Sequence, residues 1–330
     1  MSAMLPAKTV LINCPLCDAE NHTCLFKFGT KLFPIDISFC HKCGFVFQNP
    51  RVSEEQSYAY YRTGIYDKYH RPRSLKIAES SNDAGMITLE RVKGFLARND
   101  PSIYLNKIDF KPRICEIGAG DGDVISKFEG GDLFAIEPSE NCRKILARKR
   151  ATVIGESIDA RNKNIKFHII LMRHVLEHVY YPKQMLEDVI SLLSENGILY
   201  IAVPNLLVAH FLNMFTYPHI SYFSTYSLTY LCDRVGLKVC KIQDEKYEIW
   251  CILKKRIIDK SKKRIVLNKE VLRGSNNLLR KNIEETKRIF RTYKNYPQLL
   301  KRSMTRIISN IMPPGLLRSI YERRNKIAKR

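Results

Sequence analysis

The sequence predicts an α/β fold, a mostly parallel sheet with helices on both faces, preceded by a small cysteine-bearing segment and followed by a basic helical tail. Three observations carry this. From residue 111, short apolar runs alternate with amphipathic helical stretches, the pattern of strand–crossover–strand units. The first run ends in a glycine-rich turn that opens a helix. On either side of this region the composition changes, to paired cysteines before it and to a strong excess of Lys and Arg after it.

A chain of 330 residues that is 45% hydrophobic can bury one full α/β core and still carry appended segments. Three units are expected: residues 1–70, 71–253 and 254–330. The first holds the cysteines and a tyrosine-rich connector with Tyr58, Tyr60, Tyr61, Tyr66 and Tyr69. A helical stretch over 74–98 leads into the core. Strands are expected at 113–117, 133–136, 151–154, 167–172 and 198–203. Between the last two, Pro182 sits where a helix can start and Gly197 where it can end, with Met185, Leu186, Val189, Ile190 and Leu193 on one face. Residues 237–243 and 248–253 can pair as an antiparallel hairpin at the sheet edge, bringing the count to seven strands. The apolar run 197–215 approaches membrane-spanning length, but Pro204, Asn205, His210 and Asn213 interrupt it, so it reads as a buried strand followed by a lid helix.

The net charge of +22 is unevenly placed, with 24 Lys and Arg against 5 Asp and Glu from residue 254 onward. That asymmetry assigns an anionic partner to the tail and leaves the core free of any need to handle polyanions. Pro313, Pro314 and Gly315 break the tail into two helical pieces. No basic start, apolar run and small-residue cleavage site stand together at the N-terminus, so a cytoplasmic protein is expected. In a reducing compartment, ten cysteines argue against a disulfide framework. Cys14-Pro-Leu-Cys17 and Cys40-His-Lys-Cys43-Gly44 are two C-x2-C knuckles whose thiolates can close a tetrahedral zinc site. Four thiolates leave no open coordination position, which makes the expected zinc structural. His22, Cys24 and His41 are possible substitutes.

The turn is Glu116-Ile117-Gly118-Ala119-Gly120-Asp121-Gly122. Glycines there let backbone pass close to a ligand, and the following helix offers unpaired N–H donors. A dinucleotide fingerprint would place its third glycine at 123, which is Asp123. Glu137, at the end of the next strand, can accept hydrogen bonds from both ribose hydroxyls, and Glu116 would face a cationic methionine end.

The run Glu116-Ile-Gly-Ala-Gly-Asp-Gly, then Ile136-Glu137-Pro138, then His174-Val-Leu-Glu-His178-Val resembles the class I S-adenosylmethionine-dependent methyltransferases over residues 111–253. The resemblance implies a Rossmann-like seven-stranded sheet, with S-adenosylmethionine as cofactor. Gly118 and Gly120 would line its methionine moiety, Glu137 would hold its ribose and Glu156, Ser157 and Ile158 would lie near its adenine, with Arg173 and His174 beside the sulfonium and Ala119, Asp121 and Pro138 also binding the cofactor. The knuckles followed by Gln48-Asn49-Pro50-Arg51 and the tyrosines are similar to the sugar methyltransferase group. By that likeness Tyr58, Tyr61, Tyr66 and Tyr69 cover the acceptor. His219 would be the base, with Tyr222 orienting the substrate or stabilising an enolate, and His178 the runner-up.

The expected function is thus methyl transfer to oxygen or carbon of a sugar or glycan precursor, which is a small molecule or lipid-linked. Members that methylate sugar carbon carry a further α/β domain where this chain has its basic tail, which brings O-methylation forward. In residues 299–330, apolar side chains interleave with Lys301, Arg302, Arg306, Arg318, Arg323 and Arg324, a pattern suited to an anionic membrane surface. The alternative is an RNA methyltransferase whose tail binds nucleic acid. Against it, Leu171-Met-Arg-His174 replaces the Asn/Asp-Pro-Pro-Tyr motif of base-amino methylation. A non-catalytic scaffold is the third reading, and the intact turn with Glu137 opposes it.

Overall fold

A computed structural model describes residues 8–29, 34–66, 84–99, 111–159, 162, 164–206, 218–245 and 247–256. Its strands are β1 Thr9–Val10, β2 His22–Gly29, β3 Pro34–Cys40, β4 Val46–Gln48 and β5 Arg51–Val52. Helices α1 Glu54–Arg62 and α2 Ala84–Asn99 follow, then β6 Arg113–Ile117, β7 Asp132–Ile136, α3 Glu140–Arg148, β8 Thr152–Gly155 and β9 Phe167–Arg173. The remainder is α4 Pro182–Leu192, β10 Leu193–Pro204, β11 Ser221–Tyr222, α5 Thr225–Arg234, β12 Leu237–Asp244 and β13 Glu248–Lys255.

The main sheet has seven strands in the order β12-β13-β10-β9-β6-β7-β8. The pairs from β10 through β8 are parallel, while β13 runs antiparallel to both β10 and β12. The expected closing hairpin is therefore present, with β13 inserted between β10 and β12. Strict alternation divides the sheet into two buried faces. In β10, Ile198, Tyr200 and Ala202 join α2 residues Leu89, Val92, Phe95 and Leu96 on one side. Leu199, Ile201 and Val203 join α4 and α5 on the other. Each side chain takes the face that the two-residue strand period assigns it.

Local chemistry sets the helix starts. Ser53 and Ser139 accept the backbone N–H groups of Gln56 and Cys142, and Ser224 with Ser227 makes a reciprocal capping box on α5. Pro182 occupies the first turn of α4, as its fixed φ favours. Gly197 does not end that helix. The helix stops at Leu192, and Gly197 lies inside β10, where a Cβ would meet the Phe167 carbonyl oxygen at 2.9 Å. The glycine serves close packing of β10 on β9. For the helix expected over 74–98, the described part is Ala84–Asn99. The first half of the 197–215 run is the core strand β10, its second half falls outside the described residues, and so do Tyr69 and tail residues 257–330. Among the described residues no helix is long and apolar enough to cross a membrane.

The N-terminal segment is not a separate bead. Its four-stranded sheet, β11-β4-β3-β2, takes in β11 from beyond the last parallel strand. Leu16, Phe45 and Phe47 share one buried cluster with Phe223, Leu228 and Leu231. The Gln48-Asn49-Pro50-Arg51 run is the staple. The Gln48 amide donates to the His219 carbonyl (2.7 Å) and the Tyr222 hydroxyl (3.2 Å). The Asn49 side-chain amide accepts from the Ile12 N–H and donates to the Ile12 carbonyl, each at 3.0 Å. Arg51 donates to the Tyr180 carbonyl at 2.8 Å and lies over the Tyr180 ring, 3.6 Å from its centroid.

Candidate active site and cysteine cluster

A cavity of about 560 Å³ opens at the carboxyl ends of β6, β7 and β9, where doubly wound sheets place their ligands. The turn after β6 forms its floor. Gly118, Gly120 and Gly122 have φ of 68°, 56° and 81°, in the left-handed region that a Cβ disfavours. At Gly118 there is also no room, since a Cβ would lie 2.5 Å from Cγ2 of Val175. Gly118, Gly120, Asp121, Glu137, Pro138, Glu156, Ser157, Arg173 and His174 all line the cavity, as expected.

The Glu137 carboxylate is held by two backbone N–H groups. Its Oε2 accepts the Gly120 N–H at 2.7 Å and its Oε1 the Ser139 N–H at 2.8 Å, which fixes the carboxylate and leaves lone pairs for a diol. Arg143 ties the two segments together, donating to the carbonyls of Glu137 and Pro138 at 2.9 and 2.7 Å and to Glu156 at 3.0 Å. Glu116 is placed differently from the expectation: it is buried and outside the cavity lining, and its Oε2 accepts the Ile125 N–H at 2.9 Å. Burial pushes its carboxyl up to about 8, so it braces the turn as a neutral acid. Ala119 likewise points into the core.

His174 has φ of 52° and bridges two carboxylates, Glu177 at 3.3 Å and Glu248 at 3.2 Å. Burial opposes its charge, but these two hydrogen bonds prevail and hold it above the ordinary histidine range. Glu248 also pairs with Arg91 at 2.6 Å and Arg173 at 3.3 Å. Against the cost of burial, its bond to His174 and the nearby Arg173 keep it ionised down to about 2.

The lining is also aromatic: Tyr61, Tyr66, Tyr180 and Tyr181 belong to it with His178, and so does Tyr58, which bonds to Glu156. Tyr61 and Tyr66 rings lie 5.2 Å apart and stand 5.5 and 6.1 Å from the His178 ring. His178 Nδ1 is 2.8 Å from the Pro218 carbonyl. A carbonyl only accepts, so Nδ1 carries the hydrogen and the lone pair of the neutral ring sits on Nε2. Burial pushes this imidazole below the ordinary range, toward that neutral form. His219 and Tyr222 do not line the cavity. The His219 ring stands 4.7 Å from that of His178, and the buried Tyr222 hydroxyl donates to the His219 carbonyl at 2.6 Å. Pairing of β11 with β4 turns that hydroxyl inward. Tyr180 and Tyr181 escape a reading of the sequence, where two aromatics directly before the α4 proline look like ordinary packing residues.

The four cysteines come together as expected. Their sulfurs lie within 4.8 Å of one another, with Cys14 to Cys43 and Cys17 to Cys40 both at 3.5 Å. A tetrahedral zinc with bonds of about 2.3 Å places its sulfurs about 3.8 Å apart, so the donor set fits that geometry. Asp18 and Gly44, each directly after a knuckle, take positive φ of 59° and 71°. This folds Asp18 N–H onto the Cys14 carbonyl (2.9 Å) and Gly44 N–H onto that of Cys40 (2.8 Å). Hydrogen bonds from Cys14 hold Cys17 and Cys40 below the usual thiol range. The substitutes are not needed: His22 pairs with Asn49, His41 with Thr23, and Cys24 is exposed.

Residues 82–242 match the family model described as a methyltransferase domain. With the glycine turn, the Glu137 clamp and this match in hand, the chain is an S-adenosylmethionine-dependent methyltransferase. No curated protein matches it significantly. Among solved structures it is similar to magnesium protoporphyrin IX methyltransferase from Synechocystis PCC 6803 with bound S-adenosylhomocysteine, at 13% identity and TM-score 0.46, covering 62% of this chain and 100% of that one. It is also similar to a methyltransferase from Clostridium acetobutylicum ATCC 824 (11% identity, TM-score 0.46, 58% and 100% covered). A third is the DhpI complex with S-adenosylhomocysteine (16%, 0.43, 62% and 97%).

Proposed function

We propose that the enzyme methylates a hydroxyl of a sugar or glycan precursor, with His178 accepting the proton and zinc in the cysteine cluster holding the acceptor wall in place. The observation that carries this reading is the pair of aromatic rings, Tyr61 and Tyr66, packed around a neutral His178 in the cavity lining. Aromatic faces stack on the apolar faces of sugar rings, and a neutral imidazole takes a hydroxyl proton. When bound, S-adenosylmethionine supplies a methyl on a positively charged sulfur, and its displacement by the acceptor oxygen leaves that sulfur neutral. Gly118 and Gly120 let the backbone approach the methionine end, and Glu137 fixes the ribose. The tyrosines align the acceptor for in-line attack, while the Nδ1–H bond to Pro218 keeps His178 in the tautomer whose Nε2 takes the proton.

A mass-spectrometric screen of nucleotide-linked sugars and glycan lipids tests this directly. One sugar gaining a methylene only in the presence of cofactor is expected, with loss of that product in His178→Gln; turnover of a non-sugar acceptor alone would overturn the assignment. The basic tail is proposed to dock the enzyme on anionic membrane near a lipid-linked acceptor. Equal flotation of full-length and residue-254-truncated protein with anionic liposomes would refute that part.

A further inference from the structure

We propose that Glu177, His178 and His219 form a second metal site, one that takes a divalent transition-metal ion of the Co2+, Ni2+ or Zn2+ class where His178 lines the cavity, with Glu177 and His219 behind it. One ligand atom from each lies within 4.8 Å of the other two. Nε2 of His178 is 3.9 Å from Oε1 of Glu177. A triangle with edges no longer than 4.8 Å has its corners at most about 2.8 Å from a common centre, and bonds from such metals to imidazole and carboxylate run about 2.0–2.2 Å. Shifts of at most about 0.6–0.8 Å per side chain close the site.

Three features prepare it. Glu177 Oε2 is buried with no hydrogen-bond partner among the described residues, a state that is costly for a carboxylate and relieved by a cation. The Nδ1–H bond of His178 to Pro218 fixes the tautomer that ligates through Nε2, the usual orienting device behind a metal-bound histidine. Ile220 N–H donates to the Glu177 carbonyl at 2.9 Å, so the two segments bearing the donors are already stitched together on both sides of the site. Two imidazoles and one carboxylate are borderline donors and leave coordination positions open, unlike the closed four-thiolate cluster. An ion here takes the His178 lone pair. Resting on the base role given to His178 above, the ion and the acceptor exclude each other, while the glycine turn stays available to the cofactor.

Titration of cobalt chloride into full-length protein whose cysteine cluster is already metal-loaded tests the site, followed by calorimetry and visible absorption. One further equivalent is expected, without a sulfur-to-cobalt charge-transfer band, and with affinity at least about tenfold weaker in both Glu177→Gln and His219→Asn. In the unsubstituted protein, proton NMR should show a strongly shifted exchangeable N–H from His178 Nδ1, a readout that needs no variant to fold. Absence of a further equivalent, a sulfur charge-transfer band for it, unchanged affinity in the two folded variants, or no shifted N–H would each overturn the proposal. None of these readouts depends on methyl transfer, so failure of the base assignment, read from the pH profile, is distinguishable.

Discussion

Substituting Gly118 by Ala probes the cofactor turn with two separable penalties. The first is conformational: at φ of 68° an L-residue costs about 1–2 kcal/mol. The second is steric, because the new Cβ falls 2.5 Å from Val175 Cγ2, and overpacking of this kind costs about 1–3 kcal/mol. Val175 has a β-branched side chain with little freedom to turn away. The turn has little freedom either, since the Gly118 N–H is bonded to the Ile136 carbonyl at 2.8 Å. Loss of about 2–5 kcal/mol is therefore expected, as lowered stability if the turn holds its shape and as weaker cofactor binding if it relaxes. Urea unfolding and calorimetric binding of S-adenosylhomocysteine measure the two shares. A double-mutant cycle with Val175→Ala removes the clashing methyl and should return about 1–3 kcal/mol while leaving the conformational share. An additive cycle, or a Gly118→Ala protein as stable and as tight-binding as the parent, would refute the reasoning.

Glu116→Gln should leave thermal stability at neutral pH almost unchanged, because the carboxyl is held neutral up to about 8 and the amide oxygen can still accept from Ile125. Glu116→Ala strips that N–H of its partner and should cost about 1–3 kcal/mol; equal melting of the two variants contradicts the neutral-acid role. For methyl transfer, His178 must be neutral, and burial depresses its titration. Activity should hold above the ordinary histidine value of about 6.5 and fall only as pH drops below it. A pH profile with its acid limb above that value, or one unchanged in His178→Gln, excludes this base. Removing metal from the cysteine cluster, by chelation or in Cys40→Ser, should abolish methyl transfer while S-adenosylhomocysteine binding survives. The reason is that β4 carries Gln48, which holds the His219 carbonyl, whereas the glycine turn and Glu137 follow β6 and β7 of the other sheet. Full activity in protein shown by elemental analysis to be metal-free would dismiss the link.

Local patterns made much of this legible. Strands 113–117 and 198–203 were visible because apolar runs of that length between turn signals have few other uses, and both lie within strands of the sheet. The left-handed glycines of the turn and the two knuckles are local too, since each is dictated by residues a few positions apart. Gly197 misled because a glycine after a helical pattern reads as a stop, whereas here it admits a neighbouring carbonyl. Glu116 misled similarly: its place beside the glycines says nothing about whether its carboxyl turns toward the cavity or toward the Ile125 N–H.

By itself the sequence determined the sheet class, the glycine turn with the acid Glu137 at the end of the next strand, and the four-cysteine donor set, all features whose chemistry is complete within a short stretch of chain. Tertiary structure alone decided which of His178 and His219 lines the cavity. His178 and His219 lie far apart in the chain, and only the pairing of β11 with β4 turns Tyr222 inward and sets His219 behind His178. The same packing brings Tyr180 beside Arg51 and gathers Glu177 with both histidines. Such contacts are made by segments distant in sequence, and no local propensity encodes which of their side chains will face the cavity.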